Sequence, residues 1–179
     1  MLFNKREDPW DFTMGKILSE GGILEFGVWC GRSINYMSKK FKTRKFYGFD
    51  SFEVLHKDWF GTWMPKIFFD QKGILPKAPK NVKLIKGWFI NTVPDFKKNN
   101  SNQIAILHID CDTYKSTREI FELLGDKINR GTLIIFDEYH GYPGWKFGEY
   151  KAFQDFIKKN GKTYNYIGIS NRQCSVVII

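Results

Sequence analysis

The feature that most constrains the fold of this chain is an alternation of short apolar segments with segments of helical period. The apolar segments have the length of buried strands, and apolar residues recur every three or four positions in most of the stretches between them. Such alternation predicts an α/β fold built on a parallel sheet, and the chain end at 163–179 predicts a hairpin. The five predicted parallel strands are Ile23–Gly27, Lys45–Phe49, Val82–Lys86, Ile104–Ile109 and Thr132–Phe136.

Helices are predicted around these strands. Asp8-Pro9-Trp10 is typical of a helix start, and we expect an N-terminal helix within residues 1–22 that ends at Gly21-Gly22. A length of 179 residues predicts one domain, 1–179. Within it, residues 51–80 are irregular and rich in aromatic residues, which is typical of a lid or binding segment. The other predicted helices are Arg32–Phe41, a short one ending near Lys98, Ser116–Ile128 and Lys146–Lys159.

The loop between the first strand and its helix has a glycine at either end. Gly27 and Gly31 would let the backbone turn sharply and approach a ligand closely. Backbone N–H groups at such a strand end bind anions, and Glu25 could accept hydrogen bonds from an amine or hydroxyl. The dinucleotide fingerprint G-x-G-x-x-G is absent because Trp29 stands in place of the middle glycine. A purely structural strand-to-helix turn would use the same residues.

Acids follow four of the five predicted parallel strands. Because parallel strands share one carboxyl edge, these acids should converge on one crevice, where a cation or a hydroxyl-rich ligand would relieve their repulsion. Asp50 lies about 20 residues beyond the glycine loop, where α/β nucleotide sites bind ribose hydroxyls, although it could also cap a helix. Asp112 could likewise cap the helix that follows it. The acids at the strand ends are Glu25, Asp50, Asp110 and Asp137.

The acids on strands 4 and 5 suggest a metal site. Asp110 and the pair Asp137-Glu138 should be neighbours, and carboxylates without a nearby thiolate suit Mg²⁺ or Ca²⁺. His108 and His140 leave a mixed site for Mn²⁺ or Fe²⁺ open. His108 lies inside a buried strand and is more typical of a core histidine. His140 lies beside the acids and is the better candidate for proton transfer near neutral pH.

Charge and cysteine content limit the partners and the compartment. The net charge of +9 favours acidic partners such as nucleic acid or anionic glycans, although lysines spread over solvated faces account for it without any partner. No apolar run reaches the roughly 18 residues that span a bilayer, so no membrane span is expected. Three widely spaced cysteines (Cys30, Cys111 and Cys174) indicate reduced thiols and a cytoplasmic protein.

Five motifs follow one another along the chain. They are Glu25-Phe26-Gly27-Val28-Trp29-Cys30-Gly31-Arg32-Ser33, Tyr47-Gly48-Phe49-Asp50-Ser51-Phe52, Gly87-Trp88-Phe89 with Thr92-Val93-Pro94, the run from His108 to Thr117, and Ile135-Phe136-Asp137-Glu138-Tyr139. In this order and spacing they resemble the macrocin O-methyltransferase family, class I S-adenosylmethionine (SAM) methyltransferases that methylate sugar hydroxyls and are often metal-dependent. The first motif is also similar to that of catechol O-methyltransferase. The resemblance covers about residues 20–160.

The resemblance implies a Rossmann-like class I methyltransferase fold. Its seven-stranded, mostly parallel sheet would have the order 3-2-1-4-5-7-6, with the last strand antiparallel and helices on both faces. Glu25, Gly27 and Ser33 would surround the methionine part of SAM, and Asp50 would bind the ribose. Ser51 and the segment Gly87-Trp88-Phe89 would flank the adenine. The cofactor-binding residues expected from the resemblance are Glu25, Gly27, Val28, Trp29, Gly31, Ser33, Asp50, Ser51, Gly87, Trp88, Phe89 and Asp110.

The resemblance also implies a metal-assisted reaction. Asp110, Asp137 and Glu138 would hold a divalent ion, with Mg²⁺ expected first and Ca²⁺ or Mn²⁺ as alternatives; Glu138 stands where Asp is more usual. The metal would hold the acceptor hydroxyl and lower its pKa, and Asp110 or His140 would remove its proton. Relatives usually carry a longer N-terminal region. The acceptor pocket is therefore expected to be open, shaped by residues 52–80 and 139–148, or completed by a second subunit.

The leading interpretation is a SAM-dependent O-methyltransferase acting on a hydroxyl of a sugar, a glycan or another polar small molecule. One alternative is a nucleic-acid methyltransferase that uses the basic surface, although the chain has no Asn/Asp-Pro-Pro-aromatic motif. Another alternative is a non-catalytic SAM-fold binding module. An NAD-linked oxidoreductase is disfavoured by the missing central glycine and by the terminal hairpin.

Overall fold

The computed structural model of the protein describes residues 1–55, 59–100 and 103–179. Its strands are β1 Gly22–Phe26, β2 Phe46–Asp50, β3 Val82–Lys86, β4 Ile104–Ile109, β5 Leu133–Phe136, β6 Tyr164–Ile169 and β7 Cys174–Ile178. They form a seven-stranded sheet in the order β3-β2-β1-β4-β5-β7-β6. Strands β1 to β5 pair in parallel, and β7 runs antiparallel to β5 and β6. The predicted fold class and strand order are therefore confirmed.

Helices cover both faces of the sheet because successive strand side chains point to opposite sides. On one face, Ile23 and Ile106 pack in a core cluster with Trp10 and Met37. On the other face, a second cluster joins the alternate residues of the same strands to apolar residues of the last three helices. The helices are α1 Asp8–Met14, α2 Arg32–Lys40, α3 Phe89–Asn99, α4 Tyr114–Leu124 and α5 Glu149–Asn160.

The predicted end of the N-terminal helix is wrong. Helix α1 ends at Met14, and the N–H of Gly15 caps it by donating to Asp11 O at 3.0 Å. Gly21 has a different role, since a Cβ there would lie 2.4 Å from the carbonyl oxygen of Gln103. The glycine pair thus allows the chain to pass close to the start of β4 on its way into β1. It does not end a helix.

The boundaries of the later elements differ from the predictions by a few residues. Helix α4 begins at Tyr114, with Thr113 as the N-cap whose side chain accepts a hydrogen bond from Ser116 N. The last helix is preceded by a short 3₁₀ turn, Trp145–Phe147, so α5 itself begins at Glu149. Helix α5 ends at Asn160 and is capped by Gly161 with φ +60°, as the Asn-Gly pair predicts.

The aromatic segment 51–80 contains one 3₁₀ turn, Lys66–Phe69. Residues 56–58 of this predicted lid lie outside the described residues. Trp59 is buried, whereas Phe60 and Trp63 are largely exposed at the surface. In the part of the chain that the structure describes, no helix combines the length and the apolarity needed to cross a membrane.

The first residues of the chain are attached to the edge of the sheet. The N–H of Phe3 donates to Ile169 O at 2.9 Å, and the N–H of Ile169 donates to Met1 O at 2.9 Å. These two hydrogen bonds hold residues 1–3 alongside β6. The chain then continues across the carboxyl edge of the sheet toward α1.

Candidate active site

A cavity of about 270 Å³ opens at the carboxyl edge of the central strands. It contains residues from the ends of β1, β2 and β4, from the aromatic segment and from the N-terminal segment. Three predicted cofactor-binding residues, Glu25, Gly31 and Gly87, are not among the described residues that line it. The predicted residues that do line it are Gly27, Val28, Trp29, Ser33, Asp50, Ser51, Trp88, Phe89, Asp110 and Glu138.

The glycine loop contacts the end of β4 directly. Gly27 has φ +90°, and a Cβ on it would lie 1.7 Å from the carbonyl oxygen of Asp110. The N–H of Asp110 in turn donates to Phe26 O at 2.9 Å. Only glycine fits at position 27, because both the backbone conformation and the space exclude a side chain. The loop that lines the cavity and the acid at the end of β4 are thereby held together.

The carboxylate of Asp50 holds the same loop from the other side. Its Oδ2 accepts hydrogen bonds from the backbone N–H groups of Val28 and Trp29, both at 2.7 Å. Its Oδ1 accepts from the N–H of Phe52 at 2.7 Å. Trp29 and Phe52 both have positive φ, at 48° and 57°. Asp50 therefore stabilises two turns in a backbone region that is unfavourable for large side chains.

Glu25 lies beneath the loop, and its carboxylate is buried. One oxygen accepts from Ser33 Oγ at 2.8 Å, and the other lies 2.9 Å from His108 Nδ1. Both partners are buried, and His108 contacts the ring of Trp10 in α1 edge-on. His108 Nε2 is buried without a hydrogen-bond partner among the described residues. Glu25 thus orients Ser33 at the start of α2.

The residues expected around the adenine lie at the end of β3. Trp88 and Phe89 line the cavity, whereas Gly87 adopts φ +138° and donates its N–H to Asp50 O at 2.9 Å. Gly87 therefore positions this segment and does not itself face the cavity among the described residues.

The acids at the ends of β4 and β5 divide into two groups. Potential ligand atoms of Asp110, Asp112 and Glu138 lie within 4.8 Å of one another, and all three residues line the cavity. Potential ligand atoms of Asp110, Asp137 and His108 form the second group at the same separation. The predicted set of Asp110, Asp137 and Glu138 is thus shared between two neighbouring groups that meet at Asp110.

Burial and mutual repulsion alter the protonation of these acids. Burial, followed by the charge of Asp137, raises the pKa of Asp110 well above its usual range and acts in the same way on the pKa of Glu138. Burial and Asp137 also raise the pKa of Asp112 to about 8. An acidic group of this kind needs protons or a bound cation at neutral pH. Oε2 of Glu138 is buried and has no hydrogen-bond partner among the described residues.

Asp112 and Glu149 belong to the site although sequence reasoning did not assign them to it. Asp112 adopts φ 63° and faces the cavity, while Thr113 takes the capping role that was considered for Asp112. Glu149 is fully buried, and its carboxylate accepts from Cys111 N at 3.4 Å and from Glu138 N at 3.2 Å. It therefore joins the turns that carry the two groups of acids. Glu149 lies 38 residues after Cys111, so no local pattern in the sequence indicates that it bonds to this turn.

His140 lies close to the acids in sequence but is not among the described residues that line the cavity. Its N–H donates to Arg172 O at 3.2 Å, and its Nε2 is buried without a hydrogen-bond partner among the described residues. The structure thus brings Asp110 to the cavity, whereas the other predicted catalytic residue, His140, is not part of its described walls.

A second cavity of about 240 Å³ adjoins the first and shares Trp59 and Asp112 with it. The remainder of its described wall comes from Phe60, from the start of α4 and from the loop before α5. Five of the described lining residues are aromatic, and Lys115 adds a positive charge. The aromatic residues are Trp59, Phe60, Tyr114, Tyr142 and Phe147.

The chain is similar to known methyltransferases. The family described as "Methyltransferase domain" matches residues 24–139. The 8-demethyl-8-(2,3-dimethoxy-alpha-L-rhamnosyl)-tetracenomycin-C 4'-O-methyltransferase of Streptomyces olivaceus is 24% identical over 167 residues, which cover 78% of this chain. The chain spans 62% of the length of that relative.

Solved structures share the fold. The crystal structure of CalS11, a calicheamicin methyltransferase, has a TM-score of 0.75 at 19% identity, covering 94% of this chain and 77% of its own. The O-methyltransferase NovP has a TM-score of 0.67 at 20% identity, covering 96% of this chain and 77% of its own. Because the matched family spans more than half of the chain, the protein belongs to the methyltransferase-domain family, with the fold of class I SAM-dependent methyltransferases.

Proposed function

We propose that the protein is a SAM-dependent O-methyltransferase that acts on a hydroxyl of a sugar or another polar small molecule. One observation carries the proposal: the glycine loop, Asp50 and the acids at the ends of β4 and β5 line the same cavity. Family membership supports the methyl donor. The relative from Streptomyces olivaceus, named as a 4'-O-methyltransferase of a rhamnosyl compound, supports the sugar acceptor.

The residues present fit SAM. A carboxylate offers about four acceptor positions, and the loop N–H groups and Phe52 occupy three of those on Asp50, so one remains for a ribose hydroxyl. Trp88 and Phe89 present aromatic rings to the cavity and would flank the adenine. Ser33, oriented by Glu25, would face the methionine part. When bound, SAM supplies a methyl group on a positively charged sulfonium, which nearby carboxylates stabilise.

The acids also fit a hard divalent ion. Asp110, Asp112 and Glu138 offer oxygen ligands close together, and the unpartnered Oε2 of Glu138 lacks the counter-charge that an ion provides. We propose Mg²⁺ or Mn²⁺ for this site, with Ca²⁺ as an alternative. A bound ion would lower the pKa of an acceptor hydroxyl. Asp137, included in the set expected from sequence, has both carboxylate oxygens engaged by Arg6 and Gln173.

The second cavity would hold the acceptor. Its aromatic rings would pack against the apolar faces of a sugar ring, and Asp112 at the junction of the two cavities would accept a hydrogen bond from a sugar hydroxyl. Asp110 would accept the proton of the hydroxyl that is methylated, since it lines the donor cavity at the end of β4. The aromatic segment 51–80 would act as the acceptor-side lid, and a second subunit could complete this side. The cytoplasmic location expected from the unpaired cysteines stays a prediction.

Calorimetry and methyl transfer test this function together. Calorimetry with SAM should show binding at one site per chain, and NAD should not bind. Transfer of a labelled methyl group should then be measured with rhamnosides, other deoxyhexose glycosides and short RNA, with and without a chelator. We expect the label to be transferred to a sugar. The chelator should abolish this transfer, and added Mg²⁺ or Mn²⁺ should restore it. Failure to bind SAM would refute the proposal, and label in RNA alone would favour a nucleic-acid methyltransferase.

A further inference from the structure

The N-terminal segment, residues 1–7, places a positive charge inside the acidic edge of the sheet. The guanidinium Nη2 of Arg6 lies 2.5 Å from Asp137 Oδ2 and 3.9 Å from Asp110 Oδ2. The guanidinium also lies over the ring of Trp10, at 5.8 Å from its centroid. Arg6 lines the main cavity together with Asp110 and Glu138. An arginine from outside the five parallel strands is thus a counter-charge for the acids that end two of them.

The position of Arg6 coincides with one of the two groups of potential metal ligands. Asp110 and Asp137, which it contacts, belong with His108 to the group whose ligand atoms lie within 4.8 Å of one another. Gln173 occupies the other oxygen of Asp137. In this arrangement each oxygen of Asp137 already accepts a hydrogen bond, and the adjacent guanidinium charge repels an ion from its remaining acceptor positions until the guanidinium moves away. The other group, which contains Asp112 and Glu138, stays open to the cavity.

Arg6 can be displaced without unfolding the domain. Its side chain is 45% exposed, whereas that of Asp137 is 3% exposed. Residues 1–3 are held separately by hydrogen bonds to β6, and α1 begins only at Asp8. The connecting residues can therefore move while both ends of the segment stay attached. A half-exposed guanidinium loses less on leaving a carboxylate than a buried one does.

We propose that Arg6 is an internal cation that occupies the Asp110–Asp137 subsite and competes there with a divalent metal ion. This inference rests on the metal site proposed above. While Arg6 is bound, an ion has access to Asp110, Asp112 and Glu138 only. When Arg6 leaves, Asp137 becomes available as a ligand. Arg6 thus determines which acids bind the metal and how tightly, and it couples metal binding to the docking of the N-terminal segment.

Metal affinity tests the competition without any methyl transfer. Mn²⁺ binding to the full chain should be measured by calorimetry at fixed ionic strength, in the absence of SAM. Arg6→Gln should raise the Mn²⁺ affinity about tenfold or more, because the ion no longer displaces a charge-assisted hydrogen bond. Lys5→Gln is the matched control, since it removes the same charge from the preceding, exposed side chain. It should change the affinity by less than about twofold from long-range electrostatics.

Hydrogen exchange provides a second readout on the unmodified protein. Saturating Mn²⁺ should increase amide exchange in residues 4–7, and Arg6→Gln should show the faster exchange without metal. Equal Mn²⁺ affinities of Arg6→Gln and Lys5→Gln would overturn the inference, as would Mn²⁺ binding that leaves exchange in residues 4–7 unchanged. The absence of Mn²⁺ binding in both the unmodified protein and Arg6→Gln would also overturn it. SAM titration of the same samples tests the proposed function separately.

Discussion

Asp50 Oδ2 accepts a hydrogen bond from the backbone N–H of Trp29 at 2.7 Å, although the two residues lie on different strand ends. The acid that ends β2 therefore fixes the loop that follows β1. Trp29 needs this support because its φ of 48° is unfavourable for a bulky residue. Asp50 thus holds the loop in one conformation through the protein's own hydrogen bonds.

Asp50→Asn should weaken SAM binding about tenfold to a hundredfold. The neutral amide accepts weaker hydrogen bonds than the carboxylate does, so both the loop and the ribose lose a partner. Calorimetry with SAM measures the change. Asp70→Asn is the control, since Asp70 Oδ1 accepts from the N–H of Lys72 in a similar turn outside the described cavity walls. If the two variants bind SAM equally well, Asp50 does not organise the site.

Gly27→Ala should destabilise the protein far more than Gly131→Ala does. Both glycines have φ near +90°, so each substitution carries a similar backbone cost of roughly 1–2 kcal/mol. A Cβ on Gly27 would overlap the carbonyl oxygen of Asp110, whereas one on Gly131 meets nothing within 4 Å. We expect Gly27→Ala to cost about 2 kcal/mol more in urea unfolding and to abolish SAM binding. Equal unfolding free energies would contradict the close approach of β1 and β4.

The sheet and the position of the cavity could be predicted because they depend on local patterns. The length of the apolar segments and the helical period between them specify the alternation of strands and helices. Parallel strands then bring the acids at their ends to a common edge. Asp50 and Asp110 were assigned to the site on this basis, and both line the cavity. The hydrogen bonds of Asp50 to the loop were not foreseen, because a carboxylate at a strand end does not reveal which donors will reach it.

The remaining features depend on contacts between distant parts of the chain. Arg6 and Asp137 are 131 residues apart, and no periodicity in either segment indicates the pair. Glu149 looks like an ordinary acid at the start of a helix, yet it is buried and bonds to two turns. The end of α1 was misplaced because a glycine pair was interpreted as a helix stop, whereas Gly21 passes the backbone of β4. Tertiary packing decides each of these cases.

Asp112→Asn should reduce the loss of stability that the metal-free protein shows as pH rises. The pKa of Asp112 is raised from 3.8 to about 8 in the folded state, so between these values the folded protein holds a proton that the unfolded chain releases. The free energy of unfolding therefore falls as pH increases from about 4 to 8, by up to about 1.4 kcal/mol per pH unit for this group. Asparagine tolerates φ 63° and does not titrate.

Urea unfolding at pH 5, 6, 7 and 8 in the presence of a chelator measures this effect. The slope of unfolding free energy against pH should be smaller for Asp112→Asn than for the unmodified protein. Asp155→Asn is the control, because Asp155 is half-exposed, pairs with Lys151, and has a lowered pKa instead of a raised one. Parallel slopes for Asp112→Asn and the unmodified protein would show that Asp112 ionises freely in the folded state.

Asp110→Asn should lower methyl transfer about a hundredfold to ten-thousandfold while SAM affinity changes only a few-fold. The amide cannot take the proton of the acceptor hydroxyl and is a poor ligand for a divalent ion, whereas the loop contact through Asp110 O belongs to the backbone and is retained. Single-turnover transfer to an active glycoside measures the rate of methyl transfer, and calorimetry measures the affinity for SAM. Asp126→Asn, which removes an exposed partner of Lys97, should leave both unchanged. Near-normal transfer by Asp110→Asn would exclude this carboxylate as the base and as an essential metal ligand. Asp112, which lines both cavities, would then be the next acid to test.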